Sequence, residues 1–253
     1  MTRPTDDDRT GGDDHRNDHD PILALREISK AYGDVTALSG VDLSVEPGTI
    51  HALVGPNGSG KTTLFRIALG LTRPSSGSVD APADGIGPGF QRANFYRDLT
   101  VAENLDVFAA LTGADDEAWR EELCSTLRLD RVRDRRAGDL SGGFGKKLDL
   151  ALALLNRPAV VCLDEPMGDL DDVSKTNLLD LLTDYRDEGH AVVVSTHQLG
   201  AFADVIDHLT VLHDGAVLVD EPRAAIDLGE HDSLHDLYVA RSLAAERDAT
   251  GDI

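Results

Sequence analysis

The sequence predicts an α/β fold built around a mostly parallel sheet. Three observations carry that prediction. The apolar run Ile50-His51-Ala52-Leu53-Val54 leads into Gly55-Pro56-Asn57-Gly58-Ser59-Gly60-Lys61-Thr62, and a helical segment follows over 62–69. Strand, glycine-rich loop and helix thus come in one unbroken order. Residues 159–163 and 191–194 are apolar without alternation, as in strands covered on both faces. A helical segment over 173–187 lies between them.

The elements can be justified in chain order. Residues 1–20 are dominated by Asp, with Arg, Thr, Gly and His, and read as a disordered acidic tail. Order begins near Ile22. Leu23, Leu25 and Ile28, then Leu43 and Val45, suggest short strands, with turns at Gly33-Asp34 and Pro47-Gly48. Pro74-Ser75-Ser76-Gly77 reads as a turn into another short strand. From about 101 to 136 the pattern is helical, through Leu105, Phe108 and Leu111, then Trp119, Leu123 and Leu127. Residues 147–156 are apolar nearly all round and read as a buried helix, stopped by Pro158. No internal repeat is present.

The 253 residues carry a net charge of −22, with 46 acidic against 24 basic side chains. Such a surface repels phosphate backbones, which excludes nucleic-acid binding driven by counterion release. It equally opposes docking by charge on anionic lipid. An acidic, lysine-poor protein repels itself in dilute buffer, and concentrated salt relieves that repulsion, so the composition is halophilic in type. No apolar run approaches the roughly 18–20 residues of a bilayer span. The N-terminus lacks the basic-then-apolar pattern of a secretory leader. Cys124 and Cys162 are the only cysteines. Cys162 falls in a predicted buried strand, and this usage fits a reducing compartment.

Residues 55–62 match the phosphate-loop pattern G-x-x-x-x-G-K-[ST] at every fixed position. Gly55, Pro56, Asn57, Gly58, Ser59 and Gly60 would turn successive backbone N–H groups toward one anion, and the helix N-terminus, through Thr63, adds its partial positive charge. Lys61 can reach the β- and γ-phosphates of a nucleoside triphosphate, and the Thr62 hydroxyl can ligate Mg²⁺. A second element, Val160-Val161-Cys162-Leu163-Asp164-Glu165, ends an apolar strand in two carboxylates, where ligands bind in open α/β sheets. Asp164 suits Mg²⁺ beside the phosphates, and Glu165 suits a general base for attacking water.

Leu140-Ser141-Gly142-Gly143 lies between these two elements, just before the buried helix. This order closely resembles the nucleotide-binding subunits of ATP-binding-cassette (ABC) proteins, from Ile22 to about Glu221. The resemblance implies an α/β P-loop NTPase (RecA-like) core with a mostly parallel sheet, an antiparallel β subdomain and an α-helical subdomain at about 93–139. The ATPase domain would span 21–230, with a C-terminal helix and tail over 231–253. ATP and Mg²⁺ are the implied cofactors. Ser141, Gly142 and Gly143 would bind the γ-phosphate held on an opposite subunit. Tyr32 matches the aromatic that stacks on adenine, although a tyrosine at a strand end also packs. Gln91 matches the glutamine that touches Mg²⁺ and links to a membrane partner. His197, after the next apolar strand, matches the switch histidine at the γ-phosphate.

Two positions depart from the family pattern. Phe144 stands where Gln usually follows the signature, and Asp169 replaces a small residue in Met167-Gly168-Asp169-Leu170-Asp171. The implied partners are a second ABC subunit, as a homodimer, and a separate transmembrane permease. The protein would then be cytoplasmic, peripheral at the inner face of the membrane. Phe95 and Tyr96 are candidates for apolar contacts with that permease. Ser233-Leu234-His235-Asp236-Leu237-Tyr238-Val239 looks like a C-terminal helix of exporter subunits. A soluble scaffold ATPase, as in iron–sulphur cluster assembly, is the alternative. His231 and His235, four apart among acidic residues, read as a solvated helix face rather than a metal pair.

Overall fold

The predicted apolar runs become the central strands of one sheet. A computed structural model describes residues 20–83, 85–92, 94–197 and 199–250, with backbone alone from 245. The acidic tail, apart from Asp20, lies outside the described residues. In chain order the elements are β1 (Leu23–Tyr32), β2 (Val35–Val45), β3 (Ile50–Val54), α1 (Lys61–Ala68), β4 (Ser76–Asp80), β5 (Ile86–Gly89), α2 (Val101–Thr112) and α3 (Glu117–Thr126). After these come α4 (Gly142–Leu154), β6 (Val160–Asp164), α5 (Asp172–Asp187), β7 (Ala191–Thr196), β8 (His208–His213), β9 (Ala216–Pro222) and α6 (Leu234–Thr250).

Six strands pair in the order β5-β6-β7-β3-β8-β9, parallel except for the β8–β9 hairpin. A separate antiparallel sheet runs β2-β1-β4. The parallel sheet divides the core by strand alternation. Ile50, Ala52, Val54, Val161, Leu163, Val192 and Val194 face the helical side, against α4 and α5. Leu53, Val160, Cys162, Ala191 and Val193 face the other side, against α1 and the small sheet. Both faces are dry, which explains runs without alternation. Cys162 is buried in β6, and burial pushes its thiol up to about 12.

Several boundaries differ from the sequence reading for local reasons. Helix α4 starts at Gly142 rather than 147, because the Ser141 hydroxyl caps it by accepting from the Phe144 N–H. Gly142, Gly143, Gly145 and the polar Lys146 break the apolar pattern over 142–146. The helical stretch 101–136 is two α-helices followed by a short 3-10 turn over 129–132. Thr100 and Glu103 cap each other at the start of α2, and Gly113, at φ 71°, ends it. Strand β4 begins at Ser76, inside the predicted turn, where Ser76 pairs with Ser29. Strand β5 was unreadable from Ile86-Gly87-Pro88-Gly89. It is an edge strand, which tolerates Pro88, and α4 lies directly on its backbone. A Cβ on Gly87 would sit 2.2 Å from the Ala153 carbonyl oxygen.

Candidate nucleotide site

Parallel pairing brings three strand ends to one edge. Val54 stands beside Thr196, and Asp164 beside Ser195. The segments that follow, starting at Gly55, Glu165 and His197, therefore leave the sheet together, with β7 between the other two strands.

The phosphate loop closes on α1. Gly60 has φ +105°, and a Cβ there would meet Leu38 Cδ2 at 2.6 Å and the Ala37 oxygen at 2.8 Å. Conformation and space both require glycine. No side chain caps α1 and no acidic residue lies in its first turn, so its N-terminal amides face a negative ligand unopposed. The Lys61 ammonium folds back over the loop and donates to the carbonyls of Gly55 (2.7 Å) and Pro56 (3.0 Å). Burial pushes its pKa below the usual lysine value, while Glu165 and Asp164 pull it up.

Asn57, Gly58, Gly60, Thr63 and Gln91 line a cavity of about 200 Å³ together with Lys61, Thr62, Asp164 and Glu165. The Thr62 hydroxyl donates to Asp164 Oδ2 at 3.4 Å, and Ser195 Oγ holds the other Asp164 oxygen. Hydroxyl, carboxylate and amide oxygens around one polar cavity are hard donors that suit Mg²⁺, so the residues fit the ion. Gly55, Pro56 and Ser59 do not line the cavity. Gly55 and Pro56 hold Lys61 instead, and the Ser59 side chain is buried. Any role of Ser59 toward phosphate rests on its main chain.

Glu165 sits at φ +49°, a left-handed backbone that costs a non-glycine residue about 1–3 kcal/mol and marks functional positions. Its Oε1 accepts from the His197 N–H (3.1 Å) and meets His197 Nδ1 at 2.8 Å. Thr196 Oγ1 donates to Oε2 at 3.5 Å. The carboxylate is thus aimed from two sides, while 59 % of the His197 side chain stays open to solvent.

Other expected residues lie elsewhere. Tyr32 is half exposed at the end of β1, with Lys30 Nζ 5.0 Å from its ring centroid. It is not a packed side chain and does not line the phosphate cavity. Ser141 and Gly142 line a second cavity of about 390 Å³ with Arg92, Asp169 and Gln91, the residue it shares with the first. A Cβ on Gly143 would sit 2.7 Å from the Asp169 oxygen. Within one chain the serine–glycine segment does not meet the phosphate loop. Asp169 holds φ +60°, a conformation aspartate tolerates better than most residues. Phe144 is partly buried, and Lys147 Nζ lies 5.0 Å from its ring centroid. Tyr96 is exposed, whereas Phe95 packs against the core. His231 precedes α6 and so shares no helix face with His235.

Lys146 and Asp149 escaped the sequence reading. The Lys146 ammonium donates to the carbonyls of Phe90 (2.8 Å) and Asp164 (3.0 Å). Asp149 accepts from the amides of Phe90 and Asn94, both at 3.0 Å. Together they bracket the loop that carries Gln91. Burial raises the Asp149 carboxyl, against the two amides and Lys146. A lysine and an aspartate three apart in an apolar helix was the available signal. Asp149→Ala should cost about 1–3 kcal/mol for each amide left without a partner. It should also lower ATP turnover at saturating ATP, read by urea melts and steady-state rates.

Comparison with known proteins agrees with this geometry. Residues 38–168 match the family model described as ABC transporter. The Nod factor export ATP-binding protein I of Burkholderia orbicola is 32% identical over 222 residues, covering 81% of this chain and 72% of that protein. The zinc import ATP-binding protein ZnuC of Paramagnetospirillum magneticum is 34% identical over 224 residues, covering 88% and 86%. Among solved structures, an ATP-binding subunit of an ABC transporter superposes with a TM-score of 0.79 at 26% identity, over 87% of this chain and 99% of that one. A dimeric cassette in a post-hydrolysis state with ADP and Pi superposes with a TM-score of 0.71 at 27% identity, over 81% and 100%. The chain therefore belongs to the ABC transporter family, as one of its ATP-binding, ATP-hydrolysing subunits.

Proposed function

We propose that two copies of this chain sandwich ATP between them and use its hydrolysis to drive export through a separate membrane subunit. One observation carries the reading: within one chain the phosphate loop lines one cavity, and Ser141 and Gly142 line another that shares only Gln91 with it. Each is half of a phosphate site, and a head-to-tail pair completes both halves twice. The dimeric cassette among the structural neighbours supports that arrangement.

The geometry supports the following roles. The uncapped start of α1 and Lys61 bind the phosphates. Thr62, Asp164 and Gln91 would hold Mg²⁺, which supplies charge neutralisation between the β- and γ-oxygens when bound. Glu165, aimed by His197 and Thr196, takes the proton of the attacking water. His197 and the partner copy's serine–glycine amides steady the γ-phosphate. Tyr32, exposed at its hairpin tip, stacks on adenine. No helix among the described residues is long and apolar enough to cross a membrane. The transporter-subunit relatives support a separate permease, with this chain peripheral at the inner face of the membrane. Exposed Tyr96, on the loop next to Gln91, is the contact proposed for it.

Direction rests on the Nod factor export relative and the exporter-like segment 233–239, against the zinc import relative. The protein should co-purify with a membrane subunit of about six helices. Inside-out vesicles carrying the pair should accumulate cargo only with ATP. Uptake by right-side-out vesicles loaded with ATP would reverse the direction. A scaffold role, as in iron–sulphur assembly, would leave the protein with soluble partners alone.

A further inference from the structure

A group of chemistry-bearing side chains lies away from the nucleotide cavity. His51 on β3, His208 and Thr210 on β8, and Asp220 on β9 share one face of the parallel sheet. His51 pairs with His208 in register, and Thr210 with Asp220. The ligand atoms of His51, His208 and Asp220 all lie within 4.8 Å of one another. His51 is buried, whereas the His208 and Asp220 side chains are 25% and 41% exposed. The group therefore has a closed floor and an open mouth.

We propose that His51, His208 and Asp220 bind one divalent cation of the zinc class. Two imidazoles and a carboxylate, with water in a fourth position, form a familiar tetrahedral donor set. Bonds of about 2.0–2.1 Å would space the ligands about 3.4 Å apart. Ligand atoms now up to 4.8 Å apart would close on the ion, while His208 Nε2 and Asp220 Oδ1, at 2.9 Å, would part slightly.

The hydrogen-bond inventory supports a cation. His51 Nε2 lies 2.7 Å from Thr210 Oγ1, so a polar partner on the same face already orients the ring. Thr210 Oγ1 also lies 2.6 Å from Asp220 Oδ1, and His208 Nε2 meets the same oxygen at 2.9 Å. Thr210 Oγ1 thus links the buried ring to the carboxylate, and His208 reaches the same carboxylate from the neighbouring strand position. Two imidazoles and a carboxylate converging on one point are the donors a divalent ion needs.

The ion would be structural. None of the three residues lines the phosphate cavity, and His51 stands three residues before the end of β3, about 10 Å along the strand. It would cross-link β3, β8 and β9 toward the start of β3, about three residues back from the strand edge that leads into the phosphate loop.

The test uses the full chain, stripped by chelator and kept in nucleotide-free buffer at high KCl to screen the acidic surface. Calorimetric titration with Zn²⁺ should give one site per chain with Kd on the order of micromolar or tighter, and a melting temperature that rises until one equivalent. His208→Gln and Asp220→Asn should each weaken binding at least about tenfold. A His231→Gln/His235→Gln double variant should bind like the wild type. Absence of a saturable site, unchanged affinity in both ligand variants, or loss in the double variant would overturn the proposal. If either ligand variant does not fold, Co²⁺ titration of the double variant decides. An intense visible band complete at one equivalent supports the site, and its absence rejects it.

Discussion

Glu165→Gln will lower ATP turnover by roughly 10²–10⁴-fold, the usual worth of a positioned general base, and will leave ATP-bound dimers standing. The substitution is nearly isosteric. A glutamine oxygen still accepts from the His197 N–H, which Glu165 Oε1 now does at 3.1 Å, so the left-handed turn at 165 should persist. What disappears is the charge and the capacity to take a proton from water. On the proposed reading, binding relies on other groups, namely Lys61, the start of α1 and the oxygens of Thr62 and Asp164. The variant should therefore load nucleotide and close around it without completing the reaction. Phosphate release together with light scattering in ATP tests both halves. Wild-type turnover would remove Glu165 from the chemistry, and a monomer in ATP would remove the sandwich.

Lys61→Ala should abolish hydrolysis and weaken nucleotide binding by about 1.5–3 kcal/mol, roughly ten- to a hundredfold, for one lost charge-assisted contact. The ammonium now satisfies the carbonyls of Gly55 and Pro56, so it is already in the cradle and needs only a short move to meet phosphate. Its partial desolvation strengthens that contact. Alanine leaves those two carbonyls without their donor, so a modest fall in melting temperature should accompany the effect. Fluorescent-nucleotide titration gives the affinity, and the melt separates binding loss from unfolding. Undiminished affinity in a folded variant would contradict the assignment.

The parallel core was legible because its evidence is local and apolar. The segments around Val54, Leu163 and Val194 are fully covered strands, and they read as such without alternation. The phosphate loop was legible because Gly60 has both a backbone requirement and a space requirement. Strand β5 was not, since its glycines answer to a helix more than sixty residues away and its proline is permitted only by edge position. The β8–β9 hairpin turns at Asp214 and Gly215, both at positive φ, and that short signal went unread. The partners of Lys146 and Asp149 were hidden for a related reason, although the charged pair itself stands out in an apolar helix. Those partners are backbone groups of the 90–94 loop and Asp164, and backbone groups leave no mark in a sequence. The His51, His208 and Asp220 group depends on which strands lie side by side, which composition and periodicity do not contain.

Helix α4 begins with the serine–glycine amides and, one turn later, grips the Gln91 loop and the Asp164 carbonyl through Lys146 and Asp149. The surface that would greet a mating copy and the lining of the chain's own catalytic cleft thus belong to a single stiff rod. News of the mate's arrival needs no relay of rotamer changes. If such a mate docks, its arrival is expected to reach the cleft as a tilt of that rod, and a change that softens the second turn should mute the message while leaving both ends intact.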